Sequence, residues 1–83
     1  MDPKRWSKPI TFETPRLGQY RTIASTQEAA RALENDWPLE KGRQLKEARK
    51  MCVAVLAGRK PPSEARNAFI AAAVEAHVFV REK

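Results

Sequence analysis

The tetrapeptide Ser25-Thr26-Gln27-Glu28 constrains the fold most, because it has the pattern of a helix-opening capping box. In this motif the first hydroxyl accepts a hydrogen bond from the fourth amide, and the fourth carboxylate accepts one from the first amide. A helix is therefore expected to begin here and to end at Pro38, since a residue before proline avoids the α region. Its buried stripe is expected to contain Ala29, Ala30, Leu33 and Trp37.

The residues before the capping box have the period of β-strands. Residues 9–14 alternate apolar and polar side chains, which is typical of a half-buried strand. Residues 19–24 are rich in β-formers and are close enough to pair with the first strand as a hairpin. Tyr20 and Ile23 fall on opposite sides of the second strand, so the pattern leaves its buried face open.

The residues after the capping box have helical period. A second helix is predicted over residues 43–57, ended by Gly58 in the left-handed conformation. Its core face would comprise Leu45, Ala48, Cys52, Val55 and Leu56.

A third helix should start at Pro61-Pro62-Ser63-Glu64, because proline is tolerated in a first turn and a carboxylate complements the helix dipole. It is predicted to end near Ala76 or His77. Residues 78–80 are β-branched or aromatic, so they form either a short last strand or one more helical turn, and we favour the strand. The apolar stripe of this helix comprises Ala65, Ala68, Phe69, Ala72, Ala73 and Ala76.

These elements predict an α+β fold in which an N-terminal β-hairpin, with a possible C-terminal strand, packs against three helices. Residues 1–8 are predicted to form a flexible arm and residues 9–83 a single domain. A chain of 83 residues buries only about 60–65% of its unfolded surface, so a deep substrate cleft is not expected.

The chain has a single cysteine and a single histidine, Cys52 and His77. One cysteine excludes an internal disulfide framework, and neither a secretory signal nor a run of about 20 apolar residues is present. A zinc site needs three or four converging ligands. The sequence therefore predicts a cytoplasmic protein without a membrane segment, catalytic site, metal or cofactor, in which Cys52 is buried and His77 ends a helix.

One ordered set of residues runs through most of the chain. Its members are Trp6, Pro9-Ile10, Arg21-Thr22-Ile23, Ser25, Glu28-Ala29-Ala30, Leu33, Trp37-Pro38, Gly42, Ala48, Cys52, Gly58, Ala65-Arg66-Asn67-Ala68-Phe69, Ala72-Ala73 and Glu75-Ala76. With this set the chain resembles the small bacterial family called domain of unknown function 982, found in rhizobia and related proteobacteria. The resemblance covers residues 6–79 and implies a fold and a bacterial cytosolic setting, but no activity. His77 departs from it, because the family pattern has glycine there.

Positive charge is concentrated in one part of the chain. The net charge is +6, and residues 41–60 alone contain seven basic side chains and one acidic side chain, whereas residues 25–40 contain one and four. Arg43, Lys46 and Lys50 recur every three or four residues and so share one helix face. Lys41 and Arg49 lie near them. A face of this kind can contact phosphates or an acidic protein, although charged stripes often only solvate a helix.

Trp6 is the other predicted contact residue, because it is a large aromatic side chain on an otherwise polar arm. Trp37 can either pack at the rim of the core or contact a partner. The predicted interaction surface therefore comprises Trp6, Lys41, Arg43, Lys46, Arg49 and Lys50. The sequence predicts a non-enzymatic interaction or accessory module with a protein partner, or alternatively a weak nucleic-acid binder, and leaves the oligomeric state open.

Overall fold

The structure, a computed structural model, describes residues 5–14, 18–38 and 41–82. The predicted α+β fold, a hairpin and a C-terminal strand packed against helices, is confirmed within these residues. Its elements are β1 (Arg5–Glu13), β2 (Tyr20–Ser25), α1 (Thr26–Asn35), α2 (Arg43–Leu56), α3 (Pro62–Glu75) and β3 (Val80–Glu82).

The strands form an antiparallel sheet in the order β2-β1-β3. Ile10 pairs with Ile23, and both side chains are fully buried on the face that meets the helices. Tyr20 lies on the opposite face and is 53% exposed. The structure thus resolves the ambiguity of β2 in favour of Ile23 as its core residue.

β1 begins at Arg5, so residues 5–8 belong to the sheet and not to a flexible arm. Residues 1–4 of the predicted arm lie outside the described residues. The pairing passes from Arg5 opposite Ser25 to Ile10 opposite Ile23, so β1 uses five positions where β2 uses two. Pro9 has no amide hydrogen for the ladder, and proline within a sheet is found at such irregularities.

The irregular start of β1 places Trp6 in the core, where its side chain is only 6% exposed. Its indole Nε1 donates to the Thr26 hydroxyl at 3.1 Å. Its ring meets that of Phe69 edge-on, with 6.1 Å between centroids. Trp6 is therefore a core residue and not an exposed contact.

The capping box forms with one change of partner. The Ser25 hydroxyl accepts from the Glu28 amide at 3.2 Å, as predicted. The Glu28 carboxylate accepts from the amide of Ala24 at 2.7 Å instead of that of Ser25. α1 ends at Asn35, earlier than Pro38, and the following Asp36 forms an ion pair with Arg21 of β2.

The other two helices end in left-handed residues that satisfy their last carbonyl groups. After α2, Gly58 has φ of 83°, and the Arg59 amide donates to the Ala54 carbonyl at 2.9 Å. After α3, His77 has φ of 57°, and the Val78 amide donates to the Ala73 carbonyl at 2.8 Å. His77 thus ends the helix as predicted, and a last strand follows as favoured, although β3 comprises residues 80–82 and not 78–80.

An aromatic cluster joins the sheet to the helices. The Phe69 ring of α3 lies 5.5 Å from that of Phe12 and 5.1 Å from that of Trp37, both measured between centroids. Trp37 is half-buried and packs against this cluster at the rim of the core. Packing therefore accounts for the ring of Trp37, although its buried Nε1 has no hydrogen-bond partner among the described residues.

Candidate binding surface

The side of α2 that faces away from the core forms one continuous stripe, here called the α2 outer face. At 100° per residue its members fall within an arc of about 140°. The opposite side of α2 is buried, with Leu45, Ala48, Cys52 and Val55 in the core. The α2 outer face consists of the exposed residues Arg43, Lys46, Arg49, Lys50, Val53 and Leu56, and one exposed carboxylate, that of Glu47, borders its cationic half.

The first half of this face is cationic and the second half is apolar. Lys46 and Lys50 are exposed, as the sequence predicts. Val53 is 61% exposed and Leu56 is 42% exposed. The sequence places Leu56 in the core, and the structure corrects that expectation. The stripe is therefore both basic and apolar. The pattern of charges does not reveal the apolar half, although Val53 lies three positions after Lys50 and so on the same helix face.

The N-terminus of α2 is capped by a side chain from α3. Gly42 precedes the helix and offers no side-chain acceptor. The Glu75 carboxylate takes that place, because Oε2 accepts from the Gln44 amide at 3.0 Å and Oε1 accepts from the Leu45 amide at 3.1 Å. These two amides are already satisfied and the carboxylate beside them is negative, so this end of α2 is a poor site for an anionic ligand.

Arg49 serves the fold as well as the surface. Its Nη2 donates at 3.0 Å to the carbonyl oxygen of Leu33, which lies in the last turn of α1. A carbonyl in a last turn lacks a partner within its own helix, and a cation there also complements the helix dipole. Arg49 therefore fixes α2 against α1, whereas Lys41, Arg43, Lys46 and Lys50 form no ion pair within the described part of the chain.

Two shallow depressions lie along this face and meet at Arg49. The first, of about 310 Å³, has a cationic rim, and its lining residues are Lys41, Gly42, Leu45, Lys46, Arg49 and Lys50. The second, of about 370 Å³, lies between α1 and α2, and its lining residues are Ala30, Glu34, Arg49 and Val53. Among the described residues, no carboxylate lines the first depression beside its four cations, whereas the second combines apolar carbons with one acid, Glu34, and the shared cation Arg49.

The thiol and the imidazole occupy different environments. Cys52 is buried on the core side of α2, and burial raises the pKa of its thiol to about 11. A thiol with such a pKa stays protonated at neutral pH and is a poor nucleophile. His77 is exposed at the end of α3, where its backbone conformation ends the helix.

The outer face of the sheet carries a second exposed group, which the sequence pattern does not single out. Tyr20 and Phe79 are 53% and 55% exposed. Both flank Glu13, which pairs with Tyr20 on one side and donates its amide to the Phe79 carbonyl at 3.0 Å on the other. The sequence held one signal for Tyr20. Residues of a strand alternate between its two faces, so if Ile23 is buried, Tyr20 must lie on the outer face.

Metal-binding and membrane-spanning features are both absent from the described ranges. Among residues 5–14, 18–38 and 41–82, no three His, Cys, Asp or Glu side chains are grouped so that they could hold a metal ion. None of the helices in these ranges is long and apolar enough to cross a membrane.

A family model described as "Protein of unknown function (DUF982)" matches residues 8–80. The chain belongs to this family. The NMR structure of Agrobacterium tumefaciens protein Atu1219, a structural genomics target, is similar to it with 33% sequence identity and a TM-score of 0.75. That similarity covers 92% of this chain and 75% of the Agrobacterium chain. No curated protein matches the chain.

The DUF982 resemblance in the sequence rests largely on residues that build the fold. Ile10, Leu33 and Phe69 are fully buried, and Cys52 lies beside them in the core. Glu75 caps α2. Membership in DUF982 therefore explains the architecture, while the cations of the α2 outer face lie outside the set of residues that carried the resemblance.

Proposed function

We propose that this protein is a non-enzymatic binding module of the bacterial cytoplasm, and that it recognises an acidic protein partner through the α2 outer face. The observation that carries the proposal is the first depression, whose rim combines Lys41, Lys46, Arg49 and Lys50 with no carboxylate among its described lining residues. Like charges held close together repel one another, and an acidic partner relieves that repulsion.

The non-enzymatic part of the proposal is supported by the environments of the two side chains with the greatest chemical potential. The Cys52 thiol is buried and its pKa is raised to about 11, so it acts as a small hydrophobic side chain. The His77 position serves a helix end. A cytoplasmic setting agrees with this reduced and buried thiol.

A protein partner is favoured over nucleic acid by three features of the site. In the described part of the chain no aromatic side chain lines either depression, so bases would find no stacking platform there. The helix N-terminus that could bind a phosphate is occupied by Glu75. Exposed Val53 and Leu56 continue the basic stripe and favour an apolar contact.

Nucleic-acid binding remains the second candidate, because residues 41–60 concentrate seven basic side chains against one acidic side chain. A direct test is the binding of labelled duplex and single-stranded DNA at low and moderate salt. Counterion release would make such affinity fall steeply as salt rises.

The proposal is tested by affinity purification of tagged protein from the bacterium that encodes it. The wild type is compared with a double charge reversal, Lys46→Glu/Lys50→Glu. A matched control, Lys8→Glu/Arg81→Glu, changes two exposed cations of the strands by the same charge. We expect an acidic protein to be retained by the wild type and the control and lost from the α2 variant. Equal recovery of the same proteins on all three, or recovery only of nuclease-sensitive material, contradicts the proposal.

A further inference from the structure

We infer that the partner segment is a short amphipathic helix with an acidic half and an apolar half, docked along the groove between α1 and α2. This inference rests on the proposed function and adds to it the chemistry and orientation of the ligand. It draws on both depressions together, and above all on Val53, which a purely electrostatic contact does not use.

The dimensions of the site fit a helix of about three turns. From Gly42 to Val53 the axis of α2 rises by about 16 Å at 1.5 Å per residue. The second depression is lined by Ala30 and Glu34 from α1 and by Arg49 and Val53 from α2, so it is a groove between two packed helices. Such a groove is a common receptor for an amphipathic helix, whose apolar residues recur every three or four positions.

The charges along the groove fix the orientation of the partner. Lys41, Lys46 and Lys50 line the first depression and attract acidic side chains. In the second depression Glu34 offsets the charge of Arg49, so acidic side chains are less attracted there. The acidic half of the partner therefore lies over the N-terminal part of α2, and its apolar half covers Val53. Glu34 therefore disfavours the same partner in the reverse orientation, and it also disfavours a chain that is acidic along its whole length.

Val53 is the residue that distinguishes this partner from a simple polyanion. Its side chain is 61% exposed in the apolar half of the α2 outer face. Covering this side chain with apolar groups removes its surface from water and so stabilises the complex. A phosphate backbone or a polyglutamate chain offers few apolar groups for this contact. Loss of this contact should weaken an amphipathic partner by about fivefold and leave a polyanion unaffected.

The test measures the affinity of a designed helical peptide that has glutamates in one half and leucines at every third or fourth position in the other. Polyglutamate and single-stranded DNA serve as comparison ligands. The proteins are the wild type, Val53→Ser, Lys46→Glu/Lys50→Glu and the matched control Val74→Ser, which alters a valine that is 67% exposed on α3. Amide chemical shifts of isotope-labelled protein locate the contact.

We expect the peptide to bind the wild type and Val74→Ser equally, to bind Val53→Ser about fivefold more weakly, and to lose binding to the charge-reversed variant. Shifts should concentrate at residues 30–34 and 46–53. If Val53→Ser binds as tightly as the wild type while charge reversal abolishes binding, the amphipathic partner is refuted and the proposed function stands. Tighter binding of DNA than of the peptide also refutes the amphipathic partner. If charge reversal has no effect, the proposed function itself fails.

Discussion

The carboxylate of Glu75 fills the space beside Gly42, where a Cβ atom would lie 2.9 Å from the Glu75 Cδ atom. Side-chain carbons do not approach so closely in real proteins. Gly42 has φ of 166°, which is extended backbone that any residue adopts. An added Cβ atom would therefore displace the Glu75 carboxylate, which is the far end of a flexible side chain, and the contact joins the start of α2 to the end of α3.

Substitution Gly42→Ala is expected to destabilise the protein by about 1–2 kcal/mol, because the new methyl group displaces the carboxylate from the two amides it caps. In a Glu75→Ala background the same substitution should cost nothing, or stabilise by about 0.5 kcal/mol through the lower entropy of the unfolded chain. Urea denaturation of all four proteins in a double-mutant cycle measures this coupling. An equal cost in both backgrounds would show that the two residues are independent.

Substitution Glu75→Gln should cost about 1 kcal/mol of unfolding free energy, because a neutral amide replaces a charged cap and presents only one acceptor to the two amides. The control is Glu47→Gln, an exposed position on α2, the helix that Glu75 caps. It should change the unfolding free energy by less than about 0.5 kcal/mol. Equal shifts of the urea midpoint by the two substitutions would show that the charge of Glu75 does not stabilise α2.

Substitution Trp6→Ala should destabilise the fold by about 3–5 kcal/mol, as expected for a buried tryptophan. Trp6→Phe retains most of the packing but removes the donor to Thr26, so it should cost about 1 kcal/mol. Tyr20→Ala is the matched control, since this aromatic ring is exposed on the sheet. A Trp6→Ala protein as stable as the Tyr20→Ala protein would contradict the core position of Trp6.

The thiol of Cys52 should make stability depend on alkaline pH. Its pKa is about 11 in the folded protein, against 9.0 for an unperturbed cysteine, so the unfolded chain loses the proton first. The stabilisation is thus complete below pH 9 and is lost as the pH rises towards 11. Between pH 9 and pH 11, the free energy of unfolding of the wild type should fall by up to about 2 kcal/mol more than that of Cys52→Ala. Parallel pH profiles of the two proteins would exclude a raised pKa.

The sequence predicted the elements whose signals are local. The Ser25 cap, the positive φ of Gly58 and the helix-ending role of His77 each depend on a few adjacent residues. Trp6 was misplaced because the strand was predicted to begin at Pro9, although Trp6 lies four positions before Ile10 and so has the alternation of the buried residues Ile10 and Phe12. Leu56 was misplaced because helical periodicity places it next to the buried stripe but does not show where the neighbouring helices end.

The tertiary contacts of the candidate surface could not be predicted in this way. Arg49 and Leu33 are 16 positions apart, and Leu45 and Glu75 are 30 apart. A partial signal existed, because a helix that starts after glycine lacks a side-chain cap and needs an acceptor from elsewhere. The cations lie on one face of α2 and helical spacing adds Val53 to it, but the groove that Val53 lines with Ala30 and Glu34 depends on how α1 packs beside α2.

The central claim is that partners meet this protein at the α2 outer face. The most direct test places a photo-crosslinking amino acid at Val53 or, as the control, at Val74 of α3, in protein expressed in its native bacterium. We predict a discrete covalent adduct with an acidic protein from position 53. The adduct should be absent from position 74, and absent from position 53 when Lys46→Glu/Lys50→Glu is also present. An adduct from position 74 alone, or none from position 53, would contradict it.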